Sequence, residues 1–304
     1  MTISNISTYG SLQTLLQNMS QSQNVLNNDE VEISSGQLSQ TFDGISGSIE
    51  QLTALNSQIS RLQNFQQSNT SYASQLSTTN TLLGQVGSLA TGIQSLIGTQ
   101  LSATSGSSTA FVNTLQQDLT TLTSQLNTTY AGNYLFGGAD INTPPVKTPL
   151  PTPASYGTLS NSYYQGSAET TSTQIADDQK VSNSITAADP AFQNIIAGIQ
   201  QAIQAAGSGD TAGLQNAETL VQTGNKGEEA LQSTVGSNYV LVNNLVNNVN
   251  PPLITSLQGI TQGMTQTNEV ELSSKVAQDQ VVLEATFQTY SRISSLSLVT
   301  YLPS

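Results

Sequence analysis

Two pairs of adjacent acidic residues are the side chains of this chain best suited to acid–base chemistry. They are Asp177-Asp178 and Glu228-Glu229. Acid–base catalysis needs two carboxylates that face each other across a substrate, whereas neighbouring side chains on a helix or strand point apart. We therefore expect both pairs to lie on solvated faces, with a weak calcium site near Asp177 as the alternative.

Other residue types that support catalysis are missing. The chain contains no His and no Cys, which removes the usual general base near neutral pH, the commonest metal ligand and the thiolate nucleophile. Gly87 and Gly92 have the spacing of a phosphate-binding loop, but Ile93 and Gln94 stand where that loop needs Lys and then Ser or Thr. The sequence therefore predicts no enzyme activity, no cofactor and no metal site.

Composition indicates an elongated protein whose surface is polar but mostly uncharged. Charged residues make up only 8% of the chain and aromatic residues 5%, whereas roughly 25% of an ordinary soluble domain is charged. The net charge of −13 opposes both a phosphate backbone and an anionic bilayer. We expect no nucleic-acid partner and no membrane partner. Because no basic segment precedes an apolar run at the N-terminus, export is expected without a cleaved signal peptide.

Apolar residues at helical spacing predict long helices on both sides of the chain's middle. The first helix covers residues 5–33, and the step from Ser34 to Gly36 closes it with a glycine past the helix end. A long rod helix begins at Ile49, and a shorter helix ends near Tyr130. Glycines in the distal half of the rod weaken the helix or else permit close packing against another helix.

Helical periodicity returns after residue 189. Asp189 is placed to cap a helix that opens with Pro190. A further helical tract starts near Thr211 and runs to Leu302, with a kink or restart at Pro251.

The helical period disappears between residues 132 and 189. Aromatic runs separated by prolines and glycines predict short strands joined by turns in this segment. Its aromatic side chains are expected to pack into a small core rather than to form a ligand platform. They are Tyr134, Phe136, Tyr163 and Tyr164.

These elements predict a fold that is mainly α with a small β-rich domain. The simplest arrangement is an elongated, out-and-back helical rod with paired terminal helices and a β tip, since this covers the apolar faces at both ends. It divides the chain into three domains. Residues 1–40 with 265–304 form a terminal helical assembly domain, residues 41–131 with 190–264 a helical rod domain, and residues 132–189 a β-rich tip domain.

Several motifs together resemble those of bacterial flagellins, and among these the subunits of the hook–filament junction. The motifs lie at residues 33–36, 132–138, 142–145, 164–166 and 296–302. The resemblance covers nearly the whole chain. One departure is that Gln37, Leu38 and Ser39 follow Gly36, where the family usually has basic residues.

The resemblance implies a non-enzymatic, extracellular building block of the flagellum that is exported through the flagellar type III apparatus. Its implied partners are further copies of itself, a hook-associated protein on the hook side, flagellin on the filament side and an export chaperone. The alternatives are a flagellin of the filament itself and, from a different functional class, a secreted monomeric binding or needle-tip protein.

The apolar residues of the terminal helices form what we call the assembly seam. Periodicity alone fits either contacts between subunits or an ordinary intramolecular helical bundle. The resemblance favours contacts between subunits. The predicted seam consists of Leu12, Leu15, Met19, Leu26, Leu272, Val276, Leu283, Phe287, Tyr290, Ile293 and Leu296.

Overall fold

A computed structural model describes residues 3–37, 49–102, 109–183 and 185–299 of the chain. The described part is mainly helical with a few short strands, so the predicted fold class is confirmed. The elements are α1 (Ile3–Ser35), α2 (Ile49–Ser102), α3 (Thr109–Leu126), β1 (Thr129–Tyr130), β2 (Asn133–Tyr134), β3 (Thr171–Ala176), β4 (Gln179–Asn183), α4 (Pro190–Ser208), α5 (Thr211–Asn244), a π-helical turn (Leu245–Val249), α6 (Asn250–Thr265) and α7 (Glu269–Val299).

The chain divides into two compact units. Unit 1 consists of Met1–Arg61 and Leu253–Ser304, and unit 2 of Leu62–Pro252. Unit 1 therefore draws on the two ends of the sequence, whereas unit 2 is one continuous segment. The two-stranded antiparallel sheets β1–β2 and β3–β4 belong to unit 2.

In unit 1, α1 pairs antiparallel with the C-terminal part of the chain. Helix α1 ends as predicted at Gly36, whose φ of +68° suits glycine and whose N–H donates to Glu32 O at 2.8 Å. An antiparallel bridge joins Gln37 to Gln266, and Thr267 N donates to Gly36 O at 3.3 Å. The end of α1 is thus fastened to the start of α7.

The helical tract expected to continue to Leu302 is interrupted at residues 266–268. Asn268 Oδ1 accepts a hydrogen bond from Glu271 N at 3.4 Å, as an N-cap side chain does. Because the Asn side chain competes for backbone donors, it ends one helix and begins the next. Leu302 itself lies outside the described residues.

The kink expected at Pro251 takes the form of a π-helical turn just before it. Asn250 N donates to Leu245 O, five residues back, instead of to Val246 O. The Val246 carbonyl that this frees accepts from Gln66 Nε2 of α2 at 2.8 Å. A proline inside a helix disrupts the regular ladder, and the wider turn absorbs that disruption while a side chain satisfies the carbonyl.

Helices α4 and α5 form the closest pair in unit 2. The Asp189 carboxylate accepts from Ala191 N at 2.9 Å, and Pro190 opens α4, so the predicted start is confirmed. Gly209, at φ +68°, closes the helix before Asp210 leads into α5. Glycines then let the two backbones approach, since a Cβ at Gly224 would lie only 2.7 Å from Ala191 O.

Helix α2 runs antiparallel to α5 along much of unit 2. A Cβ at Gly84 would lie 2.9 Å from Gln232 Nε2, and one at Gly98 would lie 3.7 Å from Glu218 Oε1. The glycines of α2 therefore do not end the helix. Gly84 instead permits close packing of α2 against α5, which was the second of the two expectations for these glycines.

The β-rich segment is joined to the helices of unit 2 by buried contacts. Phe136 and Phe192 are fully buried and meet edge to face, with ring centroids 5.7 Å apart. Tyr163 donates its hydroxyl to Ala187 O at 2.8 Å, and burial raises its pKa. The expectation of a packed core is thus confirmed for Phe136 and Tyr163, while Tyr134 and Tyr164 are half-buried.

Ser and Thr give the helices a polar surface without charge. Many of their hydroxyls donate to the carbonyl four residues earlier, as Thr70 does to Gln66 O at 2.7 Å and Ser88 to Gly84 O at 2.8 Å. No charged residue occurs between residues 62 and 117 or between residues 230 and 268. Backbone-bonded hydroxyls therefore face the solvent where other proteins place Lys and Glu.

We predict that Gly224→Ala destabilises unit 2 by about 1–3 kcal/mol, because the new methyl group would meet the α4 backbone and force the two helices apart. Gly207→Ala is the control, since nothing lies within 4 Å of a Cβ at that position. Alanine loses less backbone entropy than glycine on folding, so this variant should be more stable than the wild type by about 0.5–1 kcal/mol. Urea unfolding measures both. Equal stability of the two variants would contradict close α4–α5 packing.

Candidate assembly surface

Within unit 1, the structure brings the two halves of the predicted seam together through the pairing of α1 with α7. Met19 and Leu26 are buried, at 7% and 9% exposure. Most other seam residues are half-buried, namely Leu12, Leu15, Leu272, Val276, Leu283, Tyr290 and Ile293. The side chain of Leu296 lies outside the described residues. Helices α1 and α7 thus cover much of the predicted seam by pairing with each other.

A second set of apolar residues in unit 1 remains uncovered, and we call it the outer stripe. It includes Phe287 of the predicted seam, which is 49% exposed. Its other members on these two helices were not in the predicted set. They are Leu16, Val25 and Val31 of α1 and Val270, Val281 and Val282 of α7.

Sequence contained a signal for the outer stripe. Leu15-Leu16 and Val25-Leu26 are adjacent apolar pairs, and successive helical side chains point about 100° apart. When Leu26 turns inward, Val25 must therefore face another direction. Doubled apolar positions on a paired helix indicate two apolar faces, of which the partner helix covers one.

An ion pair in unit 1 ties α1 to α7. Lys275 Nζ lies 3.0 Å from Asp29 Oδ2, and the Asp29 side chain is only 9% exposed. The hydrogen bond to Asp29 raises the pKa of Lys275. Burial, together with the negative charge of Asp29, raises the pKa of the neighbouring Glu32 carboxyl. The lysine thus offsets a local excess of acid at the helix contact.

The acidic pairs considered for chemistry belong to unit 2 and to different elements of it. Asp177 and Asp178 are exposed in the turn between β3 and β4, and Glu229 is exposed on α5. The expectation of a solvated face is wrong for Glu228, which is 1% exposed. Since side chains i and i+1 diverge on a helix, an exposed Glu229 turns Glu228 towards the neighbouring helix α2.

The described residues contain no cluster of side chains that could hold a metal ion. No group of three or more His, Cys, Asp or Glu is clustered in residues 3–37, 49–102, 109–183 and 185–299. A groove of about 400 Å³ beside the Pro149–Pro153 loop is lined by apolar and uncharged polar side chains only. Within the same described ranges, no helix is both long and apolar enough to cross a membrane.

Comparison with known proteins shows what these helices are similar to. Residues 6–141 match the bacterial flagellin N-terminal helical region. The resemblance to bacterial flagellins is confirmed. The matched flagellin region spans nearly all of α1, all of α2 and α3, and the β1–β2 hairpin, so it includes one half of the α1–α7 pair. No curated protein matches the sequence.

Two solved structures share the fold of this flagellin-like chain. One is FlgL of Bacillus cereus, with a TM-score of 0.51 and 17% identity over 66% of this chain and 99% of that one. The other is a flagellar hook-associated protein from Vibrio parahaemolyticus, with a TM-score of 0.50 and 15% identity over 71% of this chain and 96% of that one. At such identities the likeness establishes fold alone.

We predict that Lys275→Gln destabilises unit 1 by about 1–3 kcal/mol, because it leaves the buried Asp29 carboxylate without its cation. The double variant Asp29→Asn with Lys275→Gln should recover most of that loss. Lys226→Gln, at an exposed lysine of α5, is the control and should be neutral. Urea unfolding and limited proteolysis of the chain ends measure the effect. The ion pair has no such role if the single and double variants are equally stable.

Proposed function

We propose that this chain is a structural, non-enzymatic subunit of the bacterial flagellum that assembles outside the cell at the hook–filament junction. The observation that carries the proposal is the outer stripe on α1 and α7, since α1 lies in the segment that matches the flagellin N-terminal helical region. These uncovered apolar side chains are available for contacts with a neighbouring subunit, and burying them there would be favourable. The likeness to FlgL in fold supports the junction position.

Assembly in this proposal adds neighbours to a pair of helices that already exists. The seam residues hold α1 against α7 inside one subunit, and the outer stripe is left for the next subunit. A terminal helix of about thirty residues is only marginally stable alone, so covering its second face stabilises the helix as well as the polymer. The subunit then links hook-side proteins to the flagellin filament, with an export chaperone covering the apolar faces beforehand.

Phe287 gives the sharpest test of the outer stripe, since it is exposed, whereas Leu283 beside it is half-buried. We predict that Phe287→Asp blocks assembly, because it places an unpaired carboxylate in an apolar contact between subunits. Monomer stability should change by no more than about 0.5 kcal/mol. Thermal unfolding of the purified protein and electron microscopy of complemented cells measure the two effects.

Gln288→Asp is the matched control for Phe287→Asp. It adds the same charge at the next, exposed position of α7, which points about 100° away. Cells with the control should carry filaments, whereas cells with Phe287→Asp should secrete unincorporated subunits. Normal filaments in cells with Phe287→Asp would show that the outer stripe is not an assembly surface.

Deletion of the gene in its own host separates the junction role from that of a filament flagellin. We expect hooks without filaments and flagellin shed into the medium, because filament subunits would still be exported but would have no base on which to polymerise. Loss of filaments without any shed flagellin would identify the chain as the filament subunit instead. Normal motility would contradict both roles and favour the secreted binding protein.

A further inference from the structure

Glu228 is a buried carboxyl group in the contact between α2 and α5. Its residue exposure is 1%, although it belongs to a strongly polar residue type. A Cβ built at Gly87 of α2 would collide with the Glu228 carboxylate. The absence of a side chain at Gly87 therefore makes the space that Glu228 occupies.

Among the residues that the structure describes, no cation is placed to neutralise Glu228. Helix α2 has no charged residue after Arg61 in the sequence, and α4 has none along its length. On α5 itself the neighbouring Glu229 carries the same sign, and Lys226 is exposed. Asp189, which caps α4 beside the helix contact, is a further acid whose carboxylate bonds to Ala191 N at 2.9 Å. Every other carboxylate near this contact therefore opposes ionisation of Glu228.

Two buried acceptor atoms at this contact lack a hydrogen-bond donor. They are Glu228 Oε1 and Asn225 Oδ1. A Cβ at Gly87 would lie 3.7 Å from Asn225 Oδ1 and still closer to the Glu228 carboxyl group, so both side chains meet at the same point on α2. Asn225 Nδ2 lies 3.4 Å from Glu229 Oε1 and donates to it, which turns the Asn225 oxygen away from that carboxylate.

A proton on the Glu228 carboxyl group supplies the missing hydrogen-bond donor. A neutral carboxylic acid has an O–H donor that an ionised carboxylate lacks, and Asn225 Oδ1 is the nearby acceptor without a donor. Burial, together with the negative charge of Glu229, raises the pKa of Glu228 to about 7. Leaving such a group ionised and unpaired inside a helix contact is strongly unfavourable.

We infer that the contact between α2 and α5 depends on the protonation of Glu228. The neutral carboxyl group donates to Asn225 of the same helix and stays buried against Gly87 of α2, whereas the ionised group opposes that burial. Because the folded pKa lies above the unfolded value, the stabilisation is complete below about pH 4.5 and is lost as the pH rises through about 7. The helix contact of unit 2 thereby responds to the pH around the protein.

Urea unfolding of the full chain between pH 5 and 8 tests the inference. We expect the unfolding equilibrium constant of the wild type to increase about 100-fold more over this range than that of Glu228→Gln, which keeps the shape but does not titrate. Glu229→Gln removes a charge from the exposed neighbour and is the control. It should keep most of the wild-type dependence on pH. Equal dependence in the wild type and Glu228→Gln would overturn the inference.

A direct titration covers the case in which Glu228→Gln fails to fold. The side-chain carboxyl of Glu228 in the wild-type protein is followed by carbon-13 NMR, with the Glu229→Gln spectrum assigning the neighbouring signal. A titration midpoint for Glu228 two or more pH units above that of exposed glutamates supports the inference. A midpoint near 4.5, the ordinary value for Glu, would overturn it whatever the variants do.

Discussion

Close approach of uncharged helix backbones is the constraint on which unit 2 depends. Aromatic residues make up only 5% of the chain, so few large side chains are available to fill a core. Gly198 and Gly224 instead let α4 and α5 meet backbone to side chain, which adds many short dispersion contacts where bulky residues are lacking. The β-rich segment packs on this base through Phe136 and Phe192.

Features governed by local chemistry were predictable from sequence. Gly36 as the end of α1 and Asp189-Pro190 as the start of α4 were both confirmed, because capping involves only residues within one turn of the helix end. The mainly α class followed from helical periodicity, and the strands of the central segment followed from its aromatic runs and turn residues. The division into three domains and the role of the seam residues stay predictions.

Features governed by distant partners were not predictable. The sequence around Glu228 reads as a polar stretch of helix, and only Gly87, well over a hundred residues earlier, makes its burial possible. The π-helical turn likewise depends on Gln66, which satisfies the Val246 carbonyl from another helix. In unit 1, doubled apolar positions such as Val25-Leu26 contained a usable signal, but choosing which residue turns inward required the position of α7.

The hydroxyl-covered helices have a consequence for the conditions the protein can withstand. Surface ion pairs weaken when dissolved salt screens them, whereas a Thr70 hydroxyl bonded to its own backbone has no net charge to screen. The helical residues 62–102, 109–117 and 230–265 are free of charged side chains, so dissolved salt has no ion pair between them to weaken. An appendage built from them would keep its form when a cell moves between fresh water and brine.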